Sequence, residues 1–310
     1  MTNSLAQRLR GILPPIVTPL NEARRYDAAD GERLCQYMLE CGVHGLFVLG
    51  TSGEGPFTPL ADRELIVKTA VKASAGKVPV VVGVLESGTD QTIEQARIAE
   101  KAGADAVVVA SPYYFPLDQK GILEHFRCIK KAVSVPLLAY DIPQTTHLKM
   151  SLDTVLTLAE EGTIIGIKDS SPDVNNTRRL ISKLKDKIRI FTGSEILGDT
   201  IVKLGGVGVV PGLANVAPKE FVILWDHLEA GRIAEATAQQ ERILKIFEVF
   251  LKNDGGSSFS YTINVMKQSL HLRGVIKNTY VSRPLDPIDA AGIERTKRIM
   301  TELECFAAGH

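Results

Sequence analysis

The chain has few cysteines for its 310 residues: four, at Cys35, Cys41, Cys128 and Cys305, with no Cys-x-x-Cys pair and no zinc spacing. Such scatter argues against a disulfide framework and for reduced thiols. Charge of one sign is also missing. Lysine plus arginine and aspartate plus glutamate are both 36, a formal net charge of zero, so nothing favours a nucleic acid or another polyanion as partner. No apolar run is long enough to span a bilayer. MTNSLAQRLRG at the start lacks the apolar stretch of a secretory signal, so a cytoplasmic protein is expected. No clustered His/Asp/Glu ligand set stands out, and no metal site is expected. What is present is 45% hydrophobic and 23% charged residues, enough to bury a full α/β core.

Short β-rich apolar runs alternate with amphipathic ones. The spacing predicts strands over Gly11–Val17, His44–Gly50, Val78–Val84, Ala104–Ser111, Val135–Ile142, Thr163–Asp169, Ile188–Gly193 and Gly206–Leu213. Between them it predicts helices over Ala28–Cys41, Leu60–Ala75, Thr89–Ala102, Asp118–Ala132, Leu152–Glu161, Val174–Lys185, Glu195–Lys203 and Pro218–Glu229. Alternation of this kind implies parallel pairing through right-handed crossovers. Eight units in about 230 residues match a closed (β/α)8 barrel. An open doubly wound sheet would usually carry G-x-G-x-x-G after its first strand, and that strand instead runs into PPIVTPL. The expected organisation is an α/β catalytic barrel over 1–230. An all-helical segment over 231–310, packed on the barrel, follows. Its helices are expected at Arg232–Lys252, Tyr261–Leu272 and Pro287–Leu303, the first ended by Asp254-Gly255-Gly256-Ser257-Ser258.

Chemistry in such a barrel belongs at the C-terminal strand ends. Strand six, TIIGIKDSS, ends on Lys168. An amine at a dry strand end is costly to keep charged, and a neutral amine can attack a ketone to form a Schiff base. The alternative is a lysine snorkelling to solvent. The other strand ends argue against it, because polar and phenolic groups converge on the same mouth: LGTSGEG, SPYYF, AYDIPQTTH, TGSE and VVPGLAN. Tyr140, at the neighbouring end, is the candidate proton shuttle, unless it is a core tyrosine with its hydroxyl capped by a carbonyl. Thr51 and Ser52 lie between Gly50 and Gly53, where a tight turn can aim consecutive N–H groups at a carboxylate. Tyr113 and Tyr114 should point to opposite sides, so at most one faces the site. Ser194, Glu195 and Asn215 are candidates for the distal part of a substrate, against helix-cap or loop roles. Glu54 and Asp169 are candidates to support the residues beside them, and His147 to lie in a substrate loop.

LGTSGEG, SPYYF, the tyrosine of AYDIP, GIKDS and GG-x-G-x-x-x-x-x-AN ending at Asn215 together resemble the pyruvate-dependent class I aldolases, the dihydrodipicolinate synthase and N-acetylneuraminate lyase superfamily. The likeness runs from PPIVTPL to Lys267, Gly274 and Arg283-Pro284-Leu285, nearly the whole chain. It implies a (β/α)8 barrel with a helical C-terminal segment, often a homotetramer built as a dimer of dimers. It implies Lys168 as Schiff-base lysine, so that no separate cofactor is needed, and Tyr140 as shuttle. Thr51 and Ser52 would hold the pyruvate carboxylate, and Ser52 could relay protons. Tyr114 would enter a neighbouring subunit's relay, and the Val210 carbonyl would lie near pyruvate. Gly50, Gly193, Thr145 and Glu195 fall at substrate-binding positions.

The departures bear on substrate. The synthases carry an arginine five residues after the shuttle tyrosine, where this chain has Thr145, which offers no bidentate cation. A glycine that usually follows is absent from Thr146-His147. The sialic-acid lyases usually have aspartate then glutamate after the strand-seven glycine, and here Ser194 precedes Glu195. The expected activity is a lyase that cleaves or forms a 4-hydroxy-2-oxo acid derived from a sugar acid, with pyruvate and an aldehyde as partners. The alternatives are 4-hydroxy-tetrahydrodipicolinate (dihydrodipicolinate) synthase, or a 2-oxo-3-deoxy sugar-acid dehydratase using the same lysine.

Overall fold

A computed structural model describes residues 4–252 and 258–305. Eight parallel strands form one sheet: β1 (Gly11–Ile12), β2 (Leu46–Val48), β3 (Val80–Val84), β4 (Ala106–Ala110), β5 (Leu137–Asp141), β6 (Gly166–Asp169), β7 (Arg189–Thr192) and β8 (Gly208–Val209). β1 pairs with β8, and the sheet closes where Pro15 bridges Phe47 and the Ile16 N–H donates to the Phe47 carbonyl at 2.9 Å. The result is a (β/α)8 barrel followed by helices.

Each strand is buried on both faces, which is why the runs read as continuous Val, Ile and Leu. Alternation then divides them. Val81, Val108, Leu138, Tyr140 and Phe191 fill the barrel interior, while Val80, Val82, Leu137 and Ala139 meet the surrounding helices. Aspartate and serine side chains start several helices. Asp118 accepts from the Gly121 N–H at 2.8 Å ahead of Gln119–Ala132, and Ser151 and Asp173 do the same ahead of Leu152–Glu160 and Val174–Leu184.

The differences from expectation come mainly from proline and glycine. β1 and β8 are two residues long where seven or eight were expected, because Pro14, Pro15 and Pro211 cannot donate to a ladder. Residues Gly212–Asn215 form a 3-10 turn instead of continuing β8. The expected helix over Glu195–Lys203 divides into a 3-10 turn, Glu195–Leu197, and a helix, Gly198–Lys203. A short helix, Pro143–Thr146, was not anticipated.

In the tail, helices span Ile233–Phe247, Phe259–Leu272 and Ala290–Glu302, with a 3-10 turn at Glu248–Phe250. Ser258 caps the second of these, and the rest of the expected break, Asp254 to Ser257, lies outside the described residues. All four cysteines are free thiols. Among the described residues no helix is long and apolar enough to cross a membrane.

Candidate active site

Strand register brings Lys168 and Tyr140 together. β5 and β6 pair with Tyr140 opposite Lys168 and Asp141 opposite Asp169. With a side-chain period of two, the first pair faces the barrel interior and the second faces the helices. Lys168 is 5% exposed and Tyr140 2%. Lys168 Nζ donates to the Tyr140 hydroxyl at 3.1 Å, and that hydroxyl lies 3.3 Å from Thr51 Oγ1. Lys168 Nζ also sits 4.2 Å from the Tyr140 ring centroid and 5.1 Å from that of Phe47. An amine, a phenol and a threonine hydroxyl thus form a continuous relay inside a largely apolar wall.

This relay opens into a cleft of about 660 Å³. Thr51, Ser52, Gly193, Glu195 and Val210 all line it. Two glycines make room. A Cβ at Gly193 would collide with Ser170 Oγ and come within 3.2 Å of Lys168 Cε. One at Gly212 would meet Met266 Cε at 2.8 Å and sit 3.3 Å from both Ser52 Oγ and Glu195 Oε1. Gly50 lies below, where a Cβ would press on Phe47 Cζ at 2.9 Å, so the ring under the lysine needs a glycine there. Among the described residues neither the Thr51 nor the Ser52 N–H is spent on another acceptor. The Glu195 carboxylate accepts from the Gly212 N–H at 2.8 Å and the Leu213 N–H at 3.4 Å. Burial raises its pKa, and those backbone donors together with nearby Lys168 pull the other way.

Other candidates fall elsewhere. Asn215 is fully buried beneath the cleft. It accepts from the Val17 N–H at 3.1 Å and donates to the Pro15 and Gly212 carbonyls, so it braces the barrel mouth and does not face a distal substrate arm. His147 is exposed and ends the short Pro143–Thr146 helix with φ of 54°, away from the cleft. Thr145 lines an adjoining apolar chamber of about 430 Å³, together with Tyr113, and this chamber shares Thr51, Tyr140, Ile142, Phe259 and Ile263 with the cleft. Tyr114 is 75% exposed and stacks edge-on against Phe115 at 4.9 Å, outside its own chain's cleft.

Sequence reasoning missed two contributions. Behind the strand ends, Lys149 pairs with Asp141 and stands 3.9 Å from Asp169, while Thr177 Oγ1 donates to Asp169 at 2.6 Å. Burial raises the Asp141 pKa, and its bond to Lys149 opposes the shift. A lysine eight residues beyond its partner carries no local signal. The cleft is also roofed by Phe247, Phe250, Phe259, Ile263 and Met266 from the C-terminal helices. Their amphipathic pattern gave an apolar face but not what it covers.

The family model for the dihydrodipicolinate synthetase family matches residues 8–303. The chain belongs to that family. Family relatives include the uncharacterized DapA-like lyase of Halobacterium salinarum, 34% identical over 288 residues, 92% of each chain. The 4-hydroxy-tetrahydrodipicolinate synthase of Nitrosospira multiformis is 34% identical over 238 residues, 77% of this chain and 79% of the relative. Among solved family structures, YagE, a prophage protein of E. coli K12 in complex with pyruvate, superposes with a TM-score of 0.89. The two are 28% identical, over 96% of this chain and 99% of YagE. The family and its fold account for a lyase-type enzyme whose lysine and tyrosine meet at the mouth of the barrel.

Proposed function

We propose that the protein is a pyruvate-dependent class I aldolase that forms its Schiff base on Lys168. The observation that carries this is the buried amine within 3.1 Å of the Tyr140 hydroxyl at the floor of a cleft. The amine attacks the C2 ketone of a 4-hydroxy-2-oxo acid, and water leaves with its oxygen. In the cleavage direction the C4 hydroxyl loses its proton and the C3–C4 bond breaks. Its electron pair moves through C3 to the iminium nitrogen, giving an aldehyde and an enamine. Tyr140, linked to Thr51, carries the protons. Protonation at C3 and hydrolysis then release pyruvate and the free lysine. The Thr51 and Ser52 N–H groups hold the carboxylate, and the Val210 carbonyl lies beside it. The pyruvate bound to YagE supports a 2-oxo acid as partner.

The aldehyde arm is read as neutral and hydroxylated, from a sugar acid. Gln144, Ser170, Ser171 and Ser194 offer hydroxyl and amide groups along one side of the cleft. Lys168 is the only basic side chain among the described residues lining it. The 4-hydroxy-tetrahydrodipicolinate synthases among the relatives favour a second reading, condensation of pyruvate with an anionic aldehyde. Thr145 in its apolar chamber weighs against that, as it offers no cationic fork. Dehydration of a 2-oxo-3-deoxy sugar acid would use the same imine and lose a hydroxyl in place of the aldehyde. Tyr114, exposed on a single chain, would reach the relay of a second copy in a homotetramer. A panel of 2-oxo sugar acids, assayed for released pyruvate with Lys168→Ala as control, tests the reading. Release from at least one acid, absent in the control, is expected. Condensation with aspartate semialdehyde and no release from the panel would favour the second reading.

A further inference from the structure

Two residues after Ser52, the turn that faces the carboxylate site carries Glu54, a non-glycine residue held at φ of 55°. Glu54 is buried, and it lines the apolar chamber that Thr51 and Tyr140 share with the cleft. It pairs with Lys267 of the Phe259–Leu272 helix, and both side chains are 0% exposed. The carboxylate also accepts from the Ser282 N–H, and Lys267 donates to the Tyr280 carbonyl at 2.7 Å. On its other side the turn is held by the Thr18 hydroxyl on the Gly53 carbonyl at 2.6 Å and by the Glu54 N–H on the Thr51 carbonyl at 3.0 Å. Neither Glu54 nor Lys267 lines the Lys168 cleft.

We propose that the buried Glu54–Lys267 pair is a positioning device for the Thr51–Ser52 turn, which makes the C-terminal helical segment part of the substrate-binding apparatus. This rests on the reading of that turn as the seat of a 2-oxo-acid carboxylate. A fully buried ion pair is a poor source of stability, because removing two charges from water offsets most of their attraction and apolar replacements of similar size are often as stable. What the pair supplies is direction: each charge has a fixed partner and a fixed backbone contact, so the turn has one position relative to the helix. A left-handed residue at a ligand turn persists only where its surroundings over-determine it, and Glu54 is bonded through its N–H, its carbonyl and its carboxylate. The same helix places Met266, next to Lys267, against Gly212 and so beside Ser52 and Glu195. Helix and turn therefore form one continuous wall of the cleft. Burial lowers the Lys267 pKa and Glu54 opposes that shift, as expected for a pair that stays ionic only while intact.

The test is the charge-free double variant Glu54→Gln/Lys267→Met, titrated with pyruvate and trapped with borohydride. The turn should lose its alignment but not its fold. The pyruvate concentration that traps half the chains should rise about tenfold, roughly what one hydrogen bond to a charged group contributes. The trapping rate at saturation should stay within about threefold, a binding effect and not a chemical one. A half-trapping concentration within about twofold of wild type, in a folded variant, would overturn the proposal. Should the variant not fold, hydrogen exchange on the wild type decides. Pyruvate should slow exchange at residues 51–55 and 280–282 together, and protection confined to 51–55 would overturn the coupling. No adduct in the wild type at all would contradict the proposed function itself. An adduct with an unshifted variant contradicts the positioning role alone.

Discussion

The pairing of Tyr140 with Lys168 across adjacent strands is the smallest unit that explains the site. A phenol 3.1 Å from the amine can take and return protons at the nitrogen, and Thr51 extends the path by one hydroxyl. Tyr140→Phe removes the acid–base group but leaves the amine and the turn. The expected outcome is a fall in kcat of about 10²- to 10⁴-fold, with pyruvate still trapped on Lys168. Steady-state kinetics beside mass spectrometry checks both halves, and an unchanged kcat would remove Tyr140 from the relay. Tyr140 and Lys168 were legible in the sequence because each lies one residue from the C-terminal end of its strand, where a barrel exposes its chemistry. Asn215 was misplaced for a related reason. It follows β8, but Pro211 ends that strand early and the chain turns down into the wall, so its amide braces Pro15 and Val17.

Elements are held in place by polar contacts behind the site. The ends of β5 and β6 carry Asp141 and Asp169, both buried, and among the described residues Lys149 is the one basic side chain paired with them. Lys149→Met leaves two carboxylates without a counter-charge. A loss of about 2–3 kcal/mol in unfolding free energy is expected, below the full value for a buried pair because the lysine is partly exposed. Adding Asp141→Asn should recover part of it, and denaturant titration of the single and double variants measures both. The helix Gln119–Ala132 packs on the barrel through His125, whose Nδ1 lies 3.0 Å from Thr89 Oγ1. Burial pushes the His125 pKa down to about 4 from 6.5, with a smaller opposing effect from the Ala110 backbone. The unfolded chain therefore binds the proton more readily, so this group's contribution is fully present above pH 6.5 and is lost as pH falls toward 4. That amounts to about 3 kcal/mol. Unfolding free energies at pH 7 and pH 4.5 should differ more in wild type than in His125→Gln, and equal differences would contradict the assignment.

At the scale of the whole molecule, the barrel was readable because eight apolar runs and eight amphipathic ones alternate, and closure follows from their number. The tail's helices were readable too, but their role was not. A helical period shows that Phe259, Ile263 and Met266 share an apolar side, and only the folded chain shows that side, joined by Phe247 of the preceding helix, roofing the cleft. Assembly extends the same logic. Tyr114 and Phe115 are 75% and 70% exposed beside the mouth. A homotetramer should sediment at about four times the 33.7 kDa of one chain, and Tyr114→Ala should lower activity per chain while leaving the Lys168 amine able to trap pyruvate. A fully active monomer would contradict that assembly.

The central claim is that one buried amine captures a 2-oxo acid covalently. Incubation with pyruvate and borohydride, followed by peptide mass spectrometry, measures this most directly. The account predicts one reduced pyruvate per chain, on Lys168 and absent from Lys168→Ala. A folded protein that stays unmodified at Lys168, or is modified at another lysine, would contradict it.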